Sequence, residues 1–289
     1  MKKAELQILL CFILWGVLPI YWKQLDMVNS VYILASRIVW SLVFVCLIIL
    51  FQKKWGKVRE ILHDRKQLGA LAGASVLITI NWGVYIYAVN SGHIIDSSMA
   101  YYLNPILVII IGAIFFKDKF SKMQKLAIAL SAAGVGYSLL AYGQIPYFAL
   151  IIGGSFALYG AVKKKVKADS EISLFFETAF VFPIAMAVII TMDVQGAGSI
   201  GILHGAEYLL IPFAGVITSV PLMIYAMGMK GTSMSMSGIL MYINPTLQLL
   251  IGVLLYEEQF TMTHAVTFLF IWAAVIIFVT DSLKKNHAK

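Results

Sequence analysis

Two ionisable residues stand deep in apolar surroundings: Arg37 in "SRIVW" and Glu177 in "FETAF". Two amide–proline pairs do the same, Asn104-Pro105 in "YLNP" and Asn244-Pro245 in "YINP". Ionisable groups in such places face a bundle interior or a watery cavity, where they hold charge or pass protons. Glu177 is the candidate carrier for any proton coupling, and Arg37 reads as a structural or gating charge. The prolines are candidate hinges. Each removes a backbone donor and so frees the carbonyl four residues back, at Tyr101 and Met241. The asparagines add donor and acceptor capacity beside those carbonyls, which suits binding of a solute.

Other chemistry has no residues to carry it. The chain has no Walker phosphate loop and no HExxH motif, and its histidines and cysteines do not cluster, so no cofactor and no metal are expected. Cys11 and Cys46 read as packing residues rather than a disulfide. His93 and Asp96 read as a solvated pair in a loop.

These residues need elements to hold them. Of 289 residues, 61% are hydrophobic and 12% charged, about half the charged share of a soluble domain. The apolar residues fall in ten blocks, near 6–23, 30–51, 68–89, 96–116, 123–142, 146–163, 171–192, 207–227, 234–256 and 262–280. A membrane-spanning helix needs about 20 such residues. The expected fold is therefore an all-α polytopic membrane protein of ten transmembrane helices. Twenty of the 22 bases fall at one side of this arrangement, all but Lys23 and Arg37. Lys/Arg retention on the cytoplasmic side then puts both termini in the cytoplasm. Topology accounts for the basic charge, so no nucleic-acid partner is expected.

The chain also repeats itself. Residues 102–120 align without gaps on 242–260, an offset of 140, with seven identities that include both Asn-Pro pairs. The same offset superposes Arg37 on Glu177. Five spans per half is an odd number, so the second half runs opposite to the first. The expected organisation is two inverted-topology five-helix repeats, 1–143 and 144–289, in one membrane unit. Such repeats commonly bind solute near the midplane between the halves. Polar and aromatic residues at that depth are the candidate liners: Trp15, Asn81, Trp82, Tyr101, Tyr102, Asn104, Tyr159, Tyr242, Asn244 and Gln248. Trp22 and Trp55 read as interfacial belt residues. Gly69-x-x-x-Gly73, Gly134, Gly136, Gly153 and Gly154 read as close helix contacts.

The runs "LLCFILWGVLPIYWK" (9–23), "SRIVWSL" (36–42), "NWGVYIYAVNSGHIIDSSMAYYLNPI" (81–106) and "MYINPTLQLLIGVLLYEE" (241–258) resemble the drug/metabolite transporter superfamily, in its EamA-like branch and more narrowly its RarD-type permeases. The resemblance spans essentially the whole chain. It implies an inner-membrane permease that exports a small organic solute, such as an amino acid, metabolite or drug-like compound. It implies a central cavity lined by spans one, three, four, six, eight and nine. Arg37 and Glu177, on spans two and seven, would be peripheral to that cavity. An intramembrane lipid-modifying enzyme and a membrane sensor without flux are the alternatives.

Overall fold

The computed structural model describes residues 1–287, without the side chains at 89–90, 94–97 and 285–287. Asp96 of the expected His93 pair lies outside the described side chains. The described residues form helices α1 (Lys3–Trp22), α2 (Ser30–Phe51), α3 (Trp55–His63), α4 (Arg65–Asn90), α5 (Ile94–Phe115) and α6 (Lys122–Tyr142). There follow α7 (Tyr147–Lys165), α8 (Ser170–Val194), α9 (Leu210–Gly231), α10 (Met234–Met241), α11 (Ile243–Leu255) and α12 (Met262–His287). Among the described residues nine segments are long and apolar enough to cross a membrane, with α10 and α11 together making one. Helix α7 adds a tenth span of 19 residues, whose last turn carries three lysines. The short α3 lies in what sequence assigned to a loop. Large apolar side chains cover the outside, with Leu140 and Val194 each 83% exposed. A bilayer, not water, solvates such a surface.

Helix limits recur at the 140-residue offset. Helices α2 and α8 begin at Ser30 and Ser170, α5 and α11 end at Phe115 and Leu255, and α6 and α12 begin at Lys122 and Met262. The caps recur as well. Ser121 Oγ accepts from Gln124 N–H (3.1 Å), and Gln124 Oε1 accepts from Ser121 N–H (3.0 Å). Thr261 and His264 exchange the equivalent bonds at 3.3 and 3.4 Å. Each reciprocal pair satisfies two orphan donors at a helix start. After α5 and α11 the chain turns through left-handed residues, Lys117 (φ 53) and Glu257 (φ 56). The next residue then bonds back: Asp118 N–H to Gly112 O (3.1 Å) and Glu258 N–H to Gly252 O (2.9 Å). Packing follows the same exchange of halves. Helix α1 packs on α9 as α7 packs on α4, and α2 packs on α9 as α8 packs on α4. Helices α2 with α8, α5 with α10, and α6 with α12 pair across the two halves.

The Asn-Pro copies differ in their effect on the helix that carries them. Helix α5 runs unbroken through Pro105, whereas regular helix lapses at Tyr242 between α10 and α11. Pro245 is the third residue of α11, in a first turn where its missing N–H would have no partner anyway. Pro105 lies where α10 crosses closest: a Cβ on Gly238 would come 2.7 Å from the Pro105 carbonyl oxygen. The glycine expectations divide too. Gly134 and Gly153 sit under 3.0 Å from side chains of neighbouring helices, once a Cβ is added. Gly69, Gly73, Gly136 and Gly154 meet nothing within 4 Å, so they are not helix contacts.

One end of the bundle is closed by charge. Lys54 bonds Glu171, and also lies 3.3 Å from Asp169, while Lys57 reaches Asp169 at 2.7 Å. The Lys57 ammonium holds the Asp169 carboxyl below the usual carboxylate range. A depressed carboxyl stabilises the fold fully above its unfolded pKa of about 3.9, and loses that contribution as pH falls further. Backbone amides of α3 should therefore exchange faster below about pH 4 than at pH 7 after correction for intrinsic rates. Substituting Asp169→Asn should remove the difference; hydrogen exchange followed by mass spectrometry reads both.

Candidate functional site

A cavity of about 610 Å³ opens at the end of the bundle opposite these ion pairs and reaches its centre. That volume suits a drug-sized solute. Of the sequence candidates, Trp15, Arg37, Asn81, Trp82, Tyr101, Asn104, Asn244, Pro245 and Gln248 line it. They come from five helices, α1, α2, α4, α5 and α11, with Ile152 and Phe156 of α7 and Thr218 of α9 closing the remaining walls. Tyr102, Pro105, Tyr159, Tyr242 and Glu177 are not brought to it. Tyr102 packs edge-on against Phe268 (5.8 Å between centroids). Tyr159 and Tyr242 are buried core residues.

The amides that do line the cavity differ in what they have left to offer. Asn81 Nδ2 donates to Ile152 O (2.6 Å), which ties α4 to α7. Gln248 Nε2 donates to Asn244 Oδ1 (2.7 Å), one turn away on α11. Asn104 Oδ1 is buried without a hydrogen-bond partner among the described residues. A buried unpaired acceptor costs about 1–3 kcal/mol, so this oxygen is an acceptor held ready for a donor.

Arg37 belongs to the cavity, against the expectation that span two is peripheral. Its guanidinium lies over the Trp82 ring at 4.3 Å and near the Trp22 ring at 5.1 Å, and Nε donates to Thr218 Oγ1 (3.1 Å). Trp22, assigned by sequence to the interfacial belt, is therefore part of an aromatic clamp on the cation. The side chain does not snorkel to the surface.

Glu177 has a different setting. Lys163, which the charge count placed among cytoplasmic loop bases, turns inward and is 2% exposed beside Glu177 at 3%. Lys163 Nζ donates to Glu177 Oε1 (2.7 Å) and Ser173 Oγ (2.6 Å); Ser173 Oγ also donates to Oε1 (2.8 Å) and Tyr159 OH to Oε2 (3.0 Å). The carboxylate is fully engaged, away from the cavity. The repeat gives no signal for Lys163, because α1 and α7 begin 144 residues apart at Lys3 and Tyr147, which sets Lys163 against Pro19. Near the same end, Asp118 Oδ2 accepts from Ser235 N–H (3.0 Å) and Ser235 Oγ (2.7 Å), capping the start of α10.

Comparison with known proteins adds identity to this geometry. The EamA-like transporter family matches residues 2–140. An uncharacterized transporter, YojE of Bacillus subtilis (strain 168), is 40% identical over 99% of this chain and 97% of its own. Protein RarD of Escherichia coli (strain K12) is 32% identical over 98% of this chain and 95% of its own. The chain belongs to the EamA-like transporters of the drug/metabolite transporter superfamily, as a RarD-type member. A solved crystal structure shares the fold of this RarD-type chain at TM-score 0.75, with 15% identity, covering 96% of this chain and 97% of that one. RarD-type membership makes the molecule a multi-pass membrane transporter, and its cavity and sealed opposite end are the parts from which a transport path would be built.

Proposed function

We propose that this protein carries a small organic solute across the inner membrane, in the export direction, by alternating access between halves 1–143 and 144–289. It is not an enzyme on this reading. The observation that carries it is a cavity reaching Asn104 and Asn244 from one end while ion pairs and the Asp118 cap close the other. Lysine retention makes the closed end cytoplasmic, with both termini there, so the structure corresponds to an outward-open state. Helices and contacts that exchange at a fixed offset support a second state in which the halves swap shapes.

Accessibility tests the reading directly. In a cysteine-free background, Leu34→Cys at the cavity wall should react with an impermeant maleimide from outside. Ser237→Cys, fully buried on α10, should react from inside only when solute is being moved. Counterflow of labelled amino acids, nucleosides and phenicols in proteoliposomes supplies the solute arm, with Asn104→Ala expected to cut flux. Permanent protection of Ser237→Cys with no flux of any compound would sink the proposal. The same vesicles with an imposed pH gradient address coupling: where flux follows the gradient, loss of that dependence in Glu177→Gln would make Glu177 the carrier in spite of its place outside the cavity, and an unchanged dependence removes it.

A further inference from the structure

The repeat superposes Arg37 on Glu177, on helices α2 and α8 that begin 140 residues apart at Ser30 and Ser170. In the second half Glu177 is a buried anion paired with Lys163 at 2.7 Å. In the first half the equivalent position is a cation, and Lys23 brings a second one to the same cavity. Lys23 finds a carboxylate at the cavity rim, Asp26 at 2.8 Å. Arg37 finds none: among the described residues no carboxylate oxygen lies within the 4.0 Å of a salt bridge. Its partners are two indole faces and the Thr218 hydroxyl. Glu258 is the other acid of the lining and stands at the rim, beyond that distance.

A guanidinium held this way is half-served. Indole faces offset part of its charge and leave the planar fork of N–H donors open toward the cavity. A carboxylate matches that fork with two parallel bonds, each stronger than a neutral hydrogen bond. Trp15, Tyr101 and Phe156 line the same space and suit a flat apolar body. We infer that the cavity selects an organic anion, an aromatic carboxylate in the simplest case, whose acid group pairs with Arg37 and so supplies the negative charge that Glu177 supplies in the other half. This deepens the transport reading and rests on it for its purpose, though the binding it asserts is measurable without flux.

The test is binding to the purified full-length protein in lipid nanodiscs, read by tryptophan fluorescence, because Trp15, Trp22 and Trp82 surround the site. Benzoate, its neutral isostere benzamide, and chloride are titrated at constant ionic strength. Benzoate should quench saturably and bind at least about tenfold more tightly than benzamide, the least expected of one charge-assisted hydrogen bond. Chloride should not compete. Arg37→Gln should erase the preference, and Arg37→Lys should keep part of it, with both variants checked for an unchanged elution profile and Tm. Equal binding of benzoate and benzamide, no saturable response to benzoate, an unaltered preference in Arg37→Gln, or competition by chloride would each overturn the inference. Charge-selective binding without flux in proteoliposomes would instead remove the transport reading and leave this one standing.

Discussion

Replacing Lys163 with methionine should destabilise the protein by about 3–5 kcal/mol, the usual cost of leaving a buried charge without its partner. Glu177 would keep the Tyr159 and Ser173 hydroxyls, at 3.0 and 2.8 Å, and lose the one cation that pairs with it among the described residues. Two hydroxyls do not neutralise a carboxylate in a low-dielectric interior, so the protein must unfold locally, take up a proton or admit water. The double variant Lys163→Met/Glu177→Gln should recover most of the loss, because the amide retains hydrogen bonding without charge. Equilibrium unfolding in mixed micelles measures both. If the double variant is as unstable as the single, the pair is not what holds α7 to α8.

Gly215→Val should be the most damaging change at a small residue. A Cβ there would fall 2.4 Å from the carbonyl carbon of Trp40 and 2.6 Å from the Ser41 nitrogen. Both are backbone atoms of α2, which cannot rotate aside as a side chain would. Overpacking of this kind costs about 1–3 kcal/mol, and more where backbone must move. The damage should reach binding as well as stability. Ser41 Oγ donates to Gly215 O at 3.1 Å, and one turn along the same seam Arg37 donates to Thr218. Prying α2 from α9 therefore withdraws Arg37 from its clamp. Gly73→Val is the matched control, since nothing lies within 4 Å of its Cβ position. Thermal unfolding of the two variants side by side decides the point; equal Tm values would contradict the packing account.

Span positions were readable because each needs about 20 apolar residues, whatever its orientation. Segments 30–51 and 123–142 match α2 and α6 within a residue. The repeat was readable because Asn, Pro and Gly recur at a fixed distance where apolar exchange is otherwise free. Rotation about each helix axis was not. A helix that is apolar all round has no polar stripe to mark its outer face. Tyr101 and Tyr102 are adjacent, yet the first lines the cavity and the second meets Phe268 on α12. Trp22 and Lys163 were misplaced for a related reason. Each sits at a span end, where aromatic and basic residues are ordinary, and only the fold reveals that they turn inward onto Arg37 and Glu177.

The uneven distribution of charge between the two ends has a further consequence, for how long the protein waits in each shape. Closure at the lysine-rich end is held by Lys54, Lys57 and the Asp118 cap. At the opposite end the one ion pair among the described residues, Lys23–Asp26, is local to one turn, and the halves are joined there by hydrogen bonds of neutral donors, Tyr21 OH to Leu210 O and Tyr32 OH to Asp193. On the proposed alternating-access reading, latches this unlike would leave the empty carrier resting mostly with its mouth outward. A solute arriving from the cytoplasm would then bind only the scarce alternative, and its apparent affinity on that side would fall in proportion to the scarcity. From outside it would meet a site already formed. The same pocket would then read as a weak binder from one side of the membrane and a tight one from the other.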